Sequence, residues 1–421
     1  MTDFQVAAVL LTLTAALAYI NARILRLPSA IGLMTTALLA SLVGLALDAA
    51  GVTDVAARVD LLLIRVDLAH ALLHGMLGVM LFAGALHVNL GDLREQRAQI
   101  IALALGATAL STALVGLGAY YLFGALGMPI SFISCLLFGA LISPTDPIAV
   151  LGILKSAGAP HAVAVTITGE SLFNDGVGVV IFLVVMGVAA GGEPTAGSVA
   201  HLFFQEALGG AVFGLAVGYV GFRLLRSIDQ YSVELLITLA MVFGGYALAE
   251  ALHLSAPIAA VMAGLLVGNQ GRSLAMSEET RVHLDTFWEL IDEILNAVLF
   301  LLIGLEVVHL ELTTPLAVAA GLTIPMVLAA RWISVLIPTT FLPRLRREVP
   351  GTVAILTWGG LRGGISVALA LSLPPGPERA TILAVTYAVV VFSILIQGLT
   401  LGRLVRAKTG AMSPSVPRAA P

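Results

Sequence analysis

The chain has 421 residues, of which 59% are hydrophobic and only 11% charged, with a mean hydropathy of +1.03. About a quarter of the residues of a water-soluble domain are charged, so a soluble globule is excluded and the chain reads as an all-α polytopic membrane protein. The net charge of -4 carries little information, because in a membrane protein the placement of basic residues matters rather than their sum.

Hydrophobic runs separated by short polar breaks lie at about 4–22, 28–50, 67–90, 98–126, 129–153, 163–191, 203–224, 231–252, 255–270, 285–308, 312–342, 350–374 and 380–402, which predicts thirteen spans. The first is expected to remain as an uncleaved span, because Met-Thr-Asp-Phe lacks a positive n-region. Alternate loops hold 16 of the 21 basic residues: Arg23 and Arg26; Arg94 and Arg97; Lys155; Arg223 and Arg226; Arg272 and Arg281; Arg344, Arg346 and Arg347; and Arg403, Arg406, Lys408 and Arg418. The opposite loops hold only Arg58, Arg65 and Arg379, so the N-terminus is expected outside and the C-terminus in the cytoplasm. Residues 1–408 are expected to form one transmembrane unit, and 409–421, small and polar with three prolines, a disordered tail.

Six spans on either side of a lone seventh enter the membrane from opposite sides, the inverted-repeat pattern of secondary transporters. That pairs span five with span twelve, and each is interrupted: Ser143-Pro144-Thr145-Asp146-Pro147 in one, Gly359-Gly360-Leu361-Arg362-Gly363-Gly364 in the other. Interrupted helices at equivalent positions expose half-helix ends near the midplane, where Asp146 offsets positive ends and Arg362 negative ones.

Span six carries Gly169-Glu170-Ser171-Leu172-Phe173-Asn174-Asp175-Gly176. At helical spacing Ser171 and Asp175 are one i, i+4 pair and Glu170 and Asn174 another, on adjacent stripes. With Arg331 and Arg362, five ionisable groups lie deep: Asp146, Glu170, Asp175 and these two arginines. At roughly 2.5–3.5 kcal/mol each, their uncompensated cost is on the order of 12–18 kcal/mol, so they must compensate one another. Three acids and two bases leave one negative charge, which suits a proton or a monovalent cation. The expected division is a structural Glu170–Arg331 bridge and an exchanging Asp175, with exchange at Asp146 and a structural Asp175 as the alternative. A dehydrated carboxylate holds a proton firmly and a nearby cation displaces it, so the two ions compete for one group.

Weaker signals are read conservatively. Glu289, Asp292 and Glu293, ahead of Asn296, are taken as a solvated helix end, with an inner cation funnel as the alternative. His70 and His74 are taken as interface histidines rather than a metal or pH site, and His87 is given no role. The single cysteine, Cys135, is a buried core residue; it excludes an intrachain disulfide and a cysteine-based redox or metal centre. An intramembrane aspartyl protease built on Asp146 and Asp175 is disfavoured, because neither aspartate has the Tyr-Asp or Gly-x-Gly-Asp context of such a dyad. A passive cation channel is disfavoured by the paired breaks.

The motifs TDP in span five, GESLFND in span six, LNAVLFLLIGLE in span ten, ARWISV in span eleven and GGLRGGISVALALSLP in span twelve together resemble the NhaP-type sodium/proton antiporters. The resemblance covers roughly residues 5 to 405 and implies a thirteen-helix, NhaA-like, dimeric fold in which discontinuous helices cross. It also implies a mobile core of spans four to six and eleven to thirteen working against a dimerisation domain made by the others. By the same resemblance Na⁺ binds Asp175 and Ser171, near Thr145 and Asp146, and Asn174 goes with electroneutral one-for-one exchange of Na⁺ or Li⁺ for H⁺ without a cofactor. Glu170 and Arg331 match an inter-helix bridge, and Arg362 the arginine of the second crossing helix. K⁺/H⁺ exchange on the same residues remains open. One departure stands out: many relatives have a glutamate in span three where this chain has Ala83.

Overall fold

The computed structural model describes residues 2–52, 54, 59, 68–189, 196–307, 313–342 and 349–410. The expectations for Arg58, Arg65, Arg344, Arg346, Arg347 and the tail beyond residue 410, Arg418 included, fall outside the described residues.

Among the described residues all regular structure is helical. Short helical turns of three to six residues aside, the helices are α1 (Asp3–Ile20), α2 (Ser29–Ala49), α3 (Leu77–Leu86), α4 (Thr108–Ala125), α5 (Phe132–Ile142), α6 (Pro147–Ser156), α7 (His161–Ala189) and α8 (Ala196–Leu225). They continue with α9 (Tyr231–Ala251), α10 (Ala256–Leu266), α11 (Glu278–Glu306), α12 (Thr314–Phe341), α13 (Thr352–Trp358), α14 (Gly364–Leu371), α15 (Pro377–Phe392) and α16 (Gly398–Thr409). Five turns of π-helix, Asn21–Leu25, Ala71–Met76, Ala102–Ala107, Val267–Gly271 and Ser393–Gln397, extend or join these helices.

Among the described residues eight helical segments are long and apolar enough to cross a bilayer: Phe4–Leu25, Ser29–Asp48, Arg97–Ala125, His161–Ala189, Phe204–Leu225, Tyr231–Ala251, Thr314–Phe341 and Pro377–Thr409. Four of the other five predicted spans fall short for identifiable reasons. Span five is cut into α5 and α6 and span twelve into α13 and α14, while α11 carries Glu289, Asp292 and Glu293 within its span. Span three is described only from Leu68 onward.

Local chemistry sets the helix ends. Ser131, Ser255 and Ser277 each turn a hydroxyl onto a first-turn amide of α5, α10 and α11, satisfying donors that hydrocarbon cannot. Glu378, at the start of α15, accepts from the Ser131 amide at 2.9 Å and from the Ser134 hydroxyl at 2.5 Å, tying α15 to the start of α5. Within the helices, threonines such as Thr112, Thr166, Thr323 and Thr386 return their hydroxyls to the carbonyl four residues back, so these polar groups are buried without a penalty.

Lipid supplies no hydrophobic drive between helices, so close approach at small residues and scattered hydrogen bonds hold them together. In one neighbourhood α5 packs on α4 and α7, α12 on α4 and α15, and α14 on α15. In the other, α2 packs on α11, and α10 on α3, α8 and α9. The α2–α11 seam shows the principle: Gly304 lies directly against Ala37, and the Ser41 hydroxyl donates to the Gly304 carbonyl at 2.9 Å. Helix α7 lies between the neighbourhoods, touching α5 on one side and α8 and α10 on the other.

Candidate functional site

The two interruptions meet. Helix α5 ends at Ile142 and α6 starts at Pro147; α13 ends at Trp358 and α14 starts at Gly364. Proline at the first position of α6 removes an amide that would have no helical partner there. The gaps are joined backbone to backbone, the Asp146 amide donating to the Leu361 carbonyl at 2.8 Å.

Each gap brings its own polar side chains. Arg362, 2% exposed, donates from Nη1 to the Ser143 carbonyl and, at 2.8 Å, to the Pro144 carbonyl, and its amide donates to the Ser393 hydroxyl at 2.9 Å. A fixed positive charge thus sits on the carbonyl end of α5, where unpaired oxygens and the helix dipole are both negative. Gly363 lies in contact with the Asp146 carboxyl group, and any side chain there would collide with it. That places the carboxylate beside the amide ends of both α6 and α14.

Helix α7 runs alongside with its polar stripe turned inward. Gly178, one residue past Gly176 and Val177, lies against the Pro144 ring, so α7 reaches the first gap at van der Waals distance. The Thr145 hydroxyl and the Ser171 hydroxyl are 2.8 Å apart. Asn174 holds Thr145 from both sides: its Oδ1 accepts from the Thr145 amide at 3.2 Å, and its Nδ2 donates to the Thr145 hydroxyl at 2.9 Å. Asp175, 3% exposed, faces a cavity of about 40 Å³ that Thr145, Asp146, Gly363 and Ser366 also line. The rest of the wall is apolar and includes Leu77, Met80, Leu172 and Leu299. Such a space suits a small ion or a very few waters.

Glu170, on the adjacent stripe, points elsewhere. It forms a two-pronged pair with Arg331 of α12, at 2.5 and 3.0 Å, with side-chain exposures of 1% and 4%. Arg331 Nη2 also donates to the Leu356 carbonyl of α13 at 3.2 Å. Gly360 lies against the guanidinium, leaving Arg331 Nε buried without a partner. Planar, charge-assisted pairs of this kind are strong when intact. Both deep arginines are therefore engaged away from Asp175.

The structure thus brings Asp175, Ser171, Thr145, Asp146 and Asn174 together at the crossing and sets Glu170 with Arg331 behind them. Ala83 is 1% exposed in α3, and its neighbour Gly84 lines the cavity. Buried hydroxyls add partners that no motif announces: Ser393 under Arg362, and Ser111, which accepts from the Ser143 hydroxyl at 2.9 Å. Their only sequence signal is a lone serine in an apolar run. The outlying histidines lie apart: His70 and His74 stack at 4.5 Å, and His74 lies 3.6 Å from Glu250. Among the described residues no group of three or more His, Cys, Asp or Glu is arranged to hold a metal.

The profile of the transmembrane sodium/hydrogen exchanger family matches residues 10–407. A Na⁺/H⁺ antiporter NhaP of Pseudomonas aeruginosa is 54% identical over 404 residues, covering 95% of each chain. The antiporter NhaH of Halobacillus dabanensis is 37% identical over 335 residues, covering 78% of this chain and 81% of its own. Among solved structures, the sodium/proton antiporter MjNhaP1 of Methanocaldococcus jannaschii at pH 8 superposes with a TM-score of 0.74 at 18% identity, covering 96% of this chain and 98% of that one. The chain belongs to the sodium/hydrogen exchanger family, a family of membrane transporters rather than enzymes.

Proposed function

We propose that the protein is a secondary antiporter that exchanges Na⁺ or Li⁺ for H⁺ across a prokaryotic plasma membrane, with the two ions competing for Asp175. The observation that carries the reading is a carboxylate 3% exposed, facing a small cavity at the junction of two helix gaps, while both nearby arginines are engaged by other groups. With Na⁺ as cargo, Asp175 supplies the charge, the Ser171 and Thr145 hydroxyls and gap carbonyls supply neutral oxygens, and Asn174 holds Thr145 in position. Oxygen-only ligands of this kind suit a hard cation. When the cation leaves, a proton neutralises the same oxygen in low-dielectric surroundings. One site that holds either ion, but not both, exchanges them one for one.

Relatives named Na⁺/H⁺ antiporters along nearly the whole chain support the choice of ions. Thirteen spans in two inverted halves fit the paired gaps. A core of spans four to six and eleven to thirteen fits the packing of α4, α5, α7, α12, α14 and α15 on one another. The remaining spans would then form a dimerisation domain, with the N-terminus outside.

Purified protein in proteoliposomes tests the reading. Asp175→Asn should abolish Na⁺-driven pH change. In the parent, lowering pH should raise the Na⁺ concentration for half-maximal exchange without lowering the maximal rate. Rates should be equal with and without an imposed membrane potential. Full exchange by the variant, or a maximal rate that falls with pH at saturating Na⁺, would remove Asp175 from the role. Running the series in K⁺ decides between the two cations.

A further inference from the structure

A second cavity, of about 590 Å³, lies outside the crossing site, between α1, α2, α6 and α11. Its charged wall belongs to α11, where Asp292 and Asn296 stand at i, i+4 spacing and share one face. Asn296 is 5% exposed, and its Nδ2 donates to the Asp292 carbonyl at 2.8 Å. Asn296 Oδ1 and one of the two carboxylate oxygens, Asp292 Oδ1, are buried and have no hydrogen-bond partner in the protein. Buried acceptors are rarely left so, because each has given up water without replacement. Two of them on one face, one belonging to a carboxylate, form half of an oxygen cage for a cation.

The position ties this pair to the crossing. Leu299, about 4.5 Å further along the α11 axis than Asn296, lines the cavity of Asp146 and Asp175. On the opposite wall Gly152 belongs to α6, the helix that starts immediately after Asp146. Glu289 and Glu293 line the same cavity from exposed positions of α11. A cation moving along α11 passes Asp292 and Asn296 before it reaches Leu299.

We infer that Asp292 and Asn296 form a second site for a monovalent cation, a station that takes Na⁺ from this cavity and passes it to Asp175. The hand-over rests on the exchanger reading of Asp175; the binding does not. Radioactive Na⁺ binding to the purified full chain therefore separates the two. Asp175→Asn should abolish exchange and still bind Na⁺, at about one per chain. Adding Asn296→Leu to it should remove that binding, whereas adding Asn296→Asp should keep or tighten it, which excludes simple misfolding. In the otherwise parental chain, Asn296→Leu should raise the Na⁺ needed for half-maximal exchange about tenfold, equivalent to about 1.4 kcal/mol, when Na⁺ is presented on the face where the cavity opens. If Asp175→Asn alone removes all Na⁺ binding, the station is overturned and the exchange site stands. If Asp175→Asn exchanges normally, the exchange reading falls and the binding arm still reports on Asp292 and Asn296. If Asn296→Leu leaves binding in the Asp175→Asn background intact, the pair does not bind.

Discussion

Glu170 and Asp175 lie five residues apart on the same helix and are almost equally hidden, at 1% and 3% exposure. Glu170 meets a guanidinium from α12 and is bound by two charge-assisted hydrogen bonds; Asp175 meets a cavity at a break in two helices. Burial alone therefore does not separate a bridged carboxylate from the one proposed to exchange ions. What separates them is whether the protein supplies a permanent counter-charge. A permanent partner leaves no room for a visiting one.

The contrast can be broken in stages. The largest effect should come from Asp175→Asn, which removes exchange altogether while leaving the detergent melting temperature within a few degrees of the parent. A variant that loses its fold along with its activity would erase the distinction. Glu170→Ala should do the reverse, costing about 3–5 kcal/mol of stability by stranding Arg331. Adding Arg331→Met should recover most of that in thermal melts, and failure to recover would point to a role beyond the pair. Arg362→Lys comes next. The shorter lysine stem does not carry its ammonium to the place from which Arg362 Nη1 donates to both carbonyls, so exchange should fall about tenfold, roughly 1.4 kcal/mol in the barrier. Parental rates in that variant would mean that the α5 carbonyl end needs only charge. Thr145→Val should be smallest, a several-fold rise in half-saturating Na⁺ from the lost hydroxyl, with the Asn174 contact to the Thr145 amide kept. An unchanged Na⁺ dependence would show that the hydroxyl is no ligand.

Much of this arrangement can be read in the sequence because membranes tax irregularity heavily. Pro144, Pro147 and the four glycines around Arg362 cannot continue a helix cheaply, and the helices do stop at Ile142 and Trp358. Charges buried in apolar runs must find one another, which is why Glu170 and Arg331 could be paired on paper. The parts that were illegible are those in which a side chain meets backbone. Charge alone assigns Arg362 to a negative half-helix end, but which two carbonyls it takes, and the grip of Asn174 on the Thr145 peptide, are not written there, because carbonyls and amides are present at every residue and leave no mark in a sequence. The five π-helical turns are likewise silent in composition, and α11 reads as a solvated acidic end until Asn296 is seen to be buried.

The bond from the Asp146 amide to the Leu361 carbonyl carries a mechanical consequence. Two half-helices stitched together at their loose ends, and pinned again by Arg362, form a single yoke. Any displacement that turns Asp175 from one aqueous side to the other must take both interrupted helices along with it. In the proposed cycle the pocket would then travel as a unit, keeping its shape while its exit changes.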